Sequence, residues 1–298
     1  MKPEISVVIP TYNRENDLVN TVRTILGQSY KNLELLVLDQ SHSHQPETLK
    51  ALQEIEIKNR RFRYYKIRPA SLPAARNFGL QAATAPIVLF LDDDIKAGKD
   101  LVEQHLRVYK EHPDICAVGG RVMQAGFPVK NQILEFNKYG VSHGVFTSPK
   151  AGYTNAFAGG NHSVKVADAL AVGGYDTRYY RIAFREESDL ALRLSHAGKK
   201  IYYEPKAEIF HLNTVGGGLR HFTDLFDTID FYRNDLFFVL HCVDANNIAG
   251  ALHSKFMEYC HVRPLSKGLK RSSYFVIGFL TALRRLWFGR QVIAREVS

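Results

Sequence analysis

The sequence predicts an α/β protein: a mostly parallel sheet with helices on both faces. Two observations carry this. Over the first 110 residues, short β-branched or apolar runs alternate with helical patterns, the alternation that covers a parallel sheet on both sides. Three of these runs end in polar residues, namely Pro10-Thr11-Tyr12-Asn13-Arg14, Asp39 and Asp92-Asp93-Asp94. Ligands of such sheets bind outside the carboxyl ends of the strands, so these polar groups are expected along one edge of one sheet.

The elements follow in order. Residues 5–9 are a β-branched run ended by Pro10, a buried strand. Leu18, Val19, Val22, Ile25 and Leu26 fall on one helical face, with Gly27 near its end. A second strand, 33–38, stops at Asp39; 47–57 is helical, 62–67 a third strand and 74–82 a further helix. The fourth strand, 87–91, delivers the three aspartates, and 101–109 returns to helix. From about Val118 the pattern is mixed, with Gly, Pro and aromatic residues scattered over 119–160. Leu190, Leu194 and Ala197 mark another helical face, and 201–210 reads as a strand leading to His211. Gly216-Gly217-Gly218 reads as a hinge. The expected organisation is a sheet domain over 1–215 and a helical C-terminal extension over 216–298.

The 298 residues suit one large domain with an appendage, and 45% apolar composition supports a sizeable core. Lys and Arg number 39 against 30 Asp and Glu, a net charge of +9, which points to anionic partners: nucleic acid, nucleotide or acidic lipid. The basic residues are dispersed and no nucleic-acid recognition motif is present, so a polynucleotide partner is not expected. Cys116, Cys242 and Cys260 are widely spaced, without metal spacing or a disulfide framework; they read as buried thiols of a cytoplasmic protein. The N-terminus does not read as a signal peptide, and no run reaches the roughly 18–20 apolar residues of a spanning helix.

The run Val88-Leu89-Phe90-Leu91-Asp92-Asp93-Asp94-Ile95 poses the chemical question. Ionised carboxylates avoid burial unless paired, and hard divalent cations take oxygen ligands. The alternative is an acidic turn capping a helix.

Together these features resemble the family 2 glycosyltransferases of the GT-A fold. Val7-Val8-Ile9-Pro10-Thr11-Tyr12-Asn13-Arg14 looks like that family's first strand and loop. Ala75-Arg76-Asn77-Phe78-Gly79 resembles its A-R-N-x-G element, Phe90-Leu91-Asp92-Asp93-Asp94 its D-x-D region, and Gly173-Gly174-Tyr175-Asp176 its G-G-F-D element. Glu186-Glu187-Ser188-Asp189-Leu190-Ala191-Leu192-Arg193 resembles E-D-x-D-L-x-x-R. Each motif alone is weak; five in family order, from residue 5 to about 211, are specific.

The resemblance implies a nucleotide-sugar donor (a UDP- or dTDP-sugar expected), a divalent metal (Mn²⁺ or Mg²⁺), and inversion at the anomeric carbon. It implies that Asp94 is the chief metal contact, with Asp92 or Asp93 facing the ribose or the metal's waters. Asp39 would hydrogen-bond the base. Pro10, Thr11, Tyr12 and Arg14, on the first loop, would hold base and phosphate, although surface packing accounts for Tyr12 and Arg14 nearly as well. Arg76 offers a fork for phosphate or for a carboxylate, or a structural pair with one of the aspartates. His211 is either a metal ligand or structural. Glu187 stands where the family has its catalytic base, and Asn161, Glu186 and Asp189 are expected on the acceptor side or in support. Asp189 and Arg193, at i and i+4, are spaced to pair. Two departures stand out: Gln40 follows Asp39 where a second acid is common, and Glu187 replaces the usual Asp. Arg220, after the glycines, reads as a phosphate contact or part of a bare linker.

In the tail, 231–238 is a helix-like aromatic stretch, reminiscent of members acting on cell-surface polysaccharides. Residues 274–288 are apolar with Arg284 and Arg285 near one end. This fits a helix in a membrane interface or one packed on the catalytic domain. The first reading makes the acceptor a lipid-linked glycan at the inner face of the cell membrane. The competing functions are a catalytically silent scaffold of the same fold and a nucleotidyltransferase; the latter wants a Gly-rich basic loop after the first strand, and Pro10-Thr11-Tyr12-Asn13 is not one.

Overall fold

A computed structural model describes residues 2–179, 181–214, 217–218, 225–260 and 265–287. Its first half runs β1 (Ile5–Thr11), α1 (Asn16–Leu26), β2 (Leu33–Asp39), α2 (Pro46–Lys58), β3 (Phe62–Lys66), α3 (Leu72–Ala82), β4 (Ile87–Leu91), β5 (Ile95–Ala97), α4 (Leu101–Glu111) and β6 (Ile115–Met123). Then come β7 (Glu135–Phe136), β8 (Ser142–His143), β9 (Gly152–Thr154), β10 (Asn161–Lys165), α5 (Val166–Ala171), α6 (Glu186–His196) and β11 (Lys200–His211). Among the described residues three further α-helices follow: α7 (Leu225–Cys242), α8 (Ile248–Cys260) and α9 (Leu265–Trp287).

The main sheet has the order β3-β2-β1-β4-β10-β6-β11-β5, with β9 on β11. β1 is parallel to both β2 and β4, and β2 to β3, so Thr11 lies opposite Asp39 at the carboxyl edge. Alternation along the strands splits the core between two faces. Ile5, Val7 and Ile9 pack with α1, α2 and α4; Val8, Leu36, Val88 and Phe90 pack with α3, α5 and α6.

β10 is antiparallel to β4 and β6, which makes the sheet mixed and brings the start of β10 to the edge where β4 ends. The apolar-pattern reading missed β10 because Asn161, His162 and Ser163 are polar yet fully buried. Buried polar groups need partners, and these have them. Asn161 Nδ2 donates to the carbonyls of Arg121 (3.0 Å) and Ala207 (2.8 Å). His105 bridges Ser163 Oγ and Asn161 Oδ1, each at 3.0 Å. His162 Nε2 meets the Tyr175 hydroxyl at 2.7 Å.

The C-terminal helices share an apolar core with the sheet domain. Leu236, Phe237 and Phe238 of α7 pack with Phe136, Tyr179 and Leu192, while Phe279 and Ala282 of α9 close the other side. Gly278 lets α9 lie against α7, since a Cβ there would come 2.9 Å from Tyr232 Cβ. The outward face of α9 leaves Val276, Ile277 and Leu280 exposed, so this helix both packs inward and shows an apolar strip. Among the described residues no helix is long and apolar enough to cross a membrane.

Gly120 sits where β6, β10 and β11 converge, and a Cβ there would lie 2.2 Å from Asn161 Nδ2 and 2.5 Å from the Ala207 carbonyl. A backbone oxygen cannot swing aside, so Gly120→Ala is expected to cost about 2–3 kcal/mol as an overpacked core position. A urea unfolding curve with an unchanged midpoint would contradict this.

Candidate active site

The three aspartates occupy the turn between β4 and β5, and each has a different environment. Asp93 is buried; Thr11 Oγ1 donates to its Oδ2 (2.6 Å) and Arg14 Nε to its Oδ1 (3.1 Å). Burial nevertheless dominates and pushes its carboxyl up to about 6. Asp94 is also buried, but His211 Nε2 lies 3.1 Å from its Oδ1, Arg14 Nη2 3.4 Å from its Oδ2, and Thr214 donates from N and Oγ1, both at 3.1 Å. Burial pushes this carboxyl up, but the hydrogen bond and charge of His211, with Arg14 and Thr214, outweigh it, so it lies below the usual range. Asp92 is the most open of the three, with Oδ2 3.8 Å from His211 Nε2. Arg14, read as a nucleotide contact, is thus placed as the internal counter-ion of Asp93 and Asp94.

His211 reaches this point because β11 ends antiparallel to β5, with His211 opposite Ile95. Gln124 Oε1 stands 3.0 Å from His211 Nδ1, so Nδ1–H donates to it and the ring is held with Nε2 toward the carboxylates. Carboxylate oxygens and an imidazole nitrogen, with an outer partner fixing the ring, suit Mn²⁺, whereas Mg²⁺ would keep to the carboxylates and water. Asp94 and His211, 3.1 Å apart, with Asp92 3.8 Å from the ring, offer donor atoms of the kind the expected metal takes.

Asp39 is fully buried at the end of β2. It accepts from Tyr64 OH, Lys66 Nζ (2.6 Å), His44 Nε2 (3.1 Å) and Ser41 N (2.8 Å). Burial raises its pKa, but the bonds from Lys66, Ser41 and Tyr64 bring it below the ordinary value. Lys66 pairs in register with Asp39, and Tyr64 lies two residues earlier on the same face. Pro10 is buried within β1, and Tyr12 is half-buried, its carbonyl accepting from Gly218 N at 2.7 Å. Gly217, at φ 75°, packs on the same loop, where a Cβ would lie 2.4 Å from the Asn13 carbonyl. Gly216 and Arg220 lie outside the described residues.

Across the edge, α6 begins with Glu186 and Glu187. Arg76, on α3, is buried between the rings of Phe90 and Tyr175 and forms an ion pair with Glu186. Its Nη2 donates to the Gly159 carbonyl at 2.8 Å. Of the two readings of Arg76, the packing places it in a structural pair, with a glutamate rather than an aspartate. Glu187 is half-buried, and Ser188 Oγ donates to its Oε1 at 3.0 Å. Gly159 and Gly160 link the two acidic groups: a Cβ on Gly159 would stand 3.5 Å from Glu187 Oε2, and one on Gly160 2.2 Å from Asp92 Oδ2. Glu187 and Asp92 therefore flank one dipeptide. Asn161, the next residue, lies inside the sheet with its amide committed to backbone carbonyls.

Asp189 supports α6 from beneath. Its Oδ2 pairs with Arg193, whose guanidinium also donates to the carbonyls of Val172 and Gly174. His241 Nδ1 (2.8 Å) and Cys242 Sγ (3.0 Å) reach its Oδ1 from α7. These three residues bring potential ligand atoms within 4.8 Å of one another. However, Arg178 Nη2 lies 3.0 Å from His241 Nε2, so Nδ1 carries the proton and donates to Asp189. Two guanidinium groups beside the cluster make it a hydrogen-bonded clamp rather than a cation site.

Sequence reasoning did not single out Gln124, Thr214, Tyr64, Lys66 or His44. The strand period would have found Tyr64 and Lys66; Gln124 and Thr214 are brought in by tertiary contacts alone.

A mixed sheet of this order, with acids at the end of its fourth strand facing a helix that starts in two glutamates, defines a GT-A glycosyltransferase fold. Residues 6–160 match the model of the family described as glycosyl transferase family 2. That match covers more than half of the 298 residues, and the chain belongs to this family. It is 33% identical over 109 residues to an uncharacterized glycosyltransferase of Rickettsia felis, an alignment covering 37% of this chain and 18% of the relative. The chain thus spans about a fifth of that relative's length. It is 26% identical over 226 residues to a glucosyl-dolichyl phosphate glucuronosyltransferase of Haloferax volcanii, covering 70% of this chain and 69% of the relative. Among solved structures, a mannosyltransferase of Pyrobaculum calidifontis in complex with GDP-Man and Mn²⁺ superposes with a TM-score of 0.58 at 15% identity, covering 96% of this chain and 88% of that one.

The Asp189 clamp has a pH signature. Burial raises this carboxyl, but His241 and Arg193 outweigh it and hold it at about 2. The stability it contributes is complete above its unfolded value near ~3.9 and is lost as pH falls through about 2. Asp189→Asn is expected to cost about 2–3 kcal/mol at pH 7, with the gap to wild type narrowing by about half at pH 3. Urea unfolding at both pH values measures this; an undiminished gap at pH 3 would count against the clamp.

Proposed function

We propose that this protein is an inverting glycosyltransferase that moves a sugar from a nucleotide-sugar donor to a hydroxyl of a glycan or lipid-linked glycan. The observation that carries the reading is the placement of Glu187 and Asp92 on either side of Gly159-Gly160. A general base and a diphosphate-side acid thereby stand on either side of one dipeptide, as a single displacement needs. Asp94 and His211, with Asp92 beside them, would hold Mn²⁺ or Mg²⁺. When bound, that ion neutralises the charge developing on the leaving diphosphate.

The chain's own residues do the rest. Glu187 accepts the proton of the acceptor hydroxyl as its oxygen bonds to the anomeric carbon and the bond to the diphosphate oxygen breaks. Glu186, paired with Arg76, fixes the start of α6. The nucleoside rests on the loop from Thr11 to Arg14 and on the Asp39 edge, where Lys66 and His44 line the carboxylate. The exposed strip Val276, Ile277 and Leu280, with exposed Arg284 on the same helix, suits contact with an anionic membrane surface. The Haloferax relative, named for a glucosyl-dolichyl phosphate, supports a lipid-linked acceptor.

Thermal unfolding with Mn²⁺ and UDP, dTDP, GDP, CMP or ATP tests the donor site. A ligand at about 100 times its Kd should add roughly 2.7 kcal/mol, in wild type but not in Asp94→Ala. Glu187→Gln should keep that shift while turnover falls about 10²–10⁴-fold; undiminished turnover removes Glu187 from the mechanism. Flotation with vesicles containing anionic lipid tests the membrane strip. Leu280→Asp should cut the bound fraction severalfold without moving the melting temperature, and equal flotation would assign the strip elsewhere.

A further inference from the structure

The segment entering α6 has an unusual backbone. Arg181, Ala183 and Arg185 lie at φ 55°, 46° and 76°, left-handed conformations that side-chain-bearing residues rarely adopt. Such residues persist where surrounding contacts over-determine them. Here the contacts come from α7, in the C-terminal extension beyond the matched residues 6–160. Arg181 pairs with Asp227 (2.9 Å) and Asp230 (3.1 Å). Arg185 Nε donates to Asp235 Oδ1 at 2.7 Å, and its guanidinium lies over the rings of Phe136, Phe184 and Phe238.

Asp235 is fully buried and carries more than Arg185. Lys255 Nζ lies 2.9 Å from its Oδ2, and the Tyr259 hydroxyl donates to the same oxygen. Lys255, itself 1% exposed, ties α8 to α7 through this carboxylate. Burial raises the Asp235 carboxyl, but the charges of Arg185 and Lys255 outweigh it and hold it at about 2, so it is ionised throughout the working range. Arg185 is also the residue before Glu186, and its carbonyl accepts the first hydrogen bond of α6, from Asp189 N at 2.8 Å. A shift of Arg185 therefore moves Glu186 and Glu187 with it.

We infer that Asp235 is a positioning residue for glycosyl transfer: through Arg185 it holds the left-handed entry to α6 and so sets where the Glu187 carboxylate stands. The C-terminal helices are thereby part of the catalytic apparatus. The inference rests on the proposed role of Glu187. A residue that acts only by orienting the base changes the reacting geometry and leaves donor binding alone, which separates it from a merely structural ion pair.

The test uses the full chain with Asp235→Asn, Arg185→Gly and the double variant. Glycine takes φ 76° without steric cost, so Arg185→Gly removes the clamp while sparing the backbone, and it reads alone if Asp235→Asn fails to fold. The expected result is a kcat at least tenfold lower for each variant with donor KM within twofold of wild type. The double variant should lose no more than either single one, because both break the same contact. Wild-type kcat in a folded single variant, or losses that multiply in the double, would overturn the inference. Hydrogen exchange across residues 183–190 gives a readout independent of turnover: the variants should exchange at least tenfold faster there, and unchanged exchange also overturns it. If wild type transfers no sugar but the exchange result holds, it is the role of Glu187 that fails, not the clamp.

Discussion

Three carboxylates stand in a row at the end of β4, and much of the fold is arranged to neutralise them. Each ion withdrawn from water costs several kcal/mol unless it is paired and hydrogen-bonded. The partners come from distant parts of the chain: Thr11 and Arg14 from the end of β1, His211 and Thr214 from the end of β11. β11 arrives there through a register shift against β6 between Glu204 and Glu208, after which its end pairs with β5. The outcome is graded. Asp93 is raised, Asp94 is lowered, and Asp92 is left most open, so adjacent residues of one type acquire different proton affinities from their surroundings.

The other side of the site depends on a polar strand. β10 has little apolar content to hold it in the sheet, and instead it is fixed by Asn161, His105, Ser163, His162 and Tyr175 bonded to one another and to backbone. Fully satisfied networks of this kind are rigid and specify one arrangement. That rigidity matters because β10 is preceded by Gly159-Gly160, whose lack of side chains leaves room for Glu187 on one side and Asp92 on the other. A buried Arg76–Glu186 pair fastens the same dipeptide to the start of α6.

The C-terminal helices are bound to this apparatus rather than appended to it. α7 reaches α6 at its entry, through Asp235 and Arg185, and one turn on, through His241 and Asp189. Apolar packing of Phe237 and Phe238 on Tyr179, Leu192 and Phe136 supplies the bulk of that interface, while the ion pairs set its register. α9 completes the bundle and turns Val276, Ile277 and Leu280 outward.

The sequence by itself determined the alternating strands and helices up to residue 111, apart from the three-residue β5, because buried strands and amphipathic helices write their periods directly into apolar positions. It also marked the acids at the strand ends and the glutamates opening α6, since their motifs are contiguous in the chain. Only the tertiary structure decided which cation answers which carboxylate, because Arg14 and His211 are 79 or more residues from their partners by number and no local pattern records such a pairing. β10 stayed illegible for a related reason: its burial is sustained by hydrogen bonds to residues elsewhere, and a polar run that is satisfied at long range looks, one residue at a time, like a loop. The left-handed entry to α6 was hidden likewise, since Arg185 at φ 76° is bonded to Asp235 of α7, and the chain near Arg185 gives no sign of the helix that meets it.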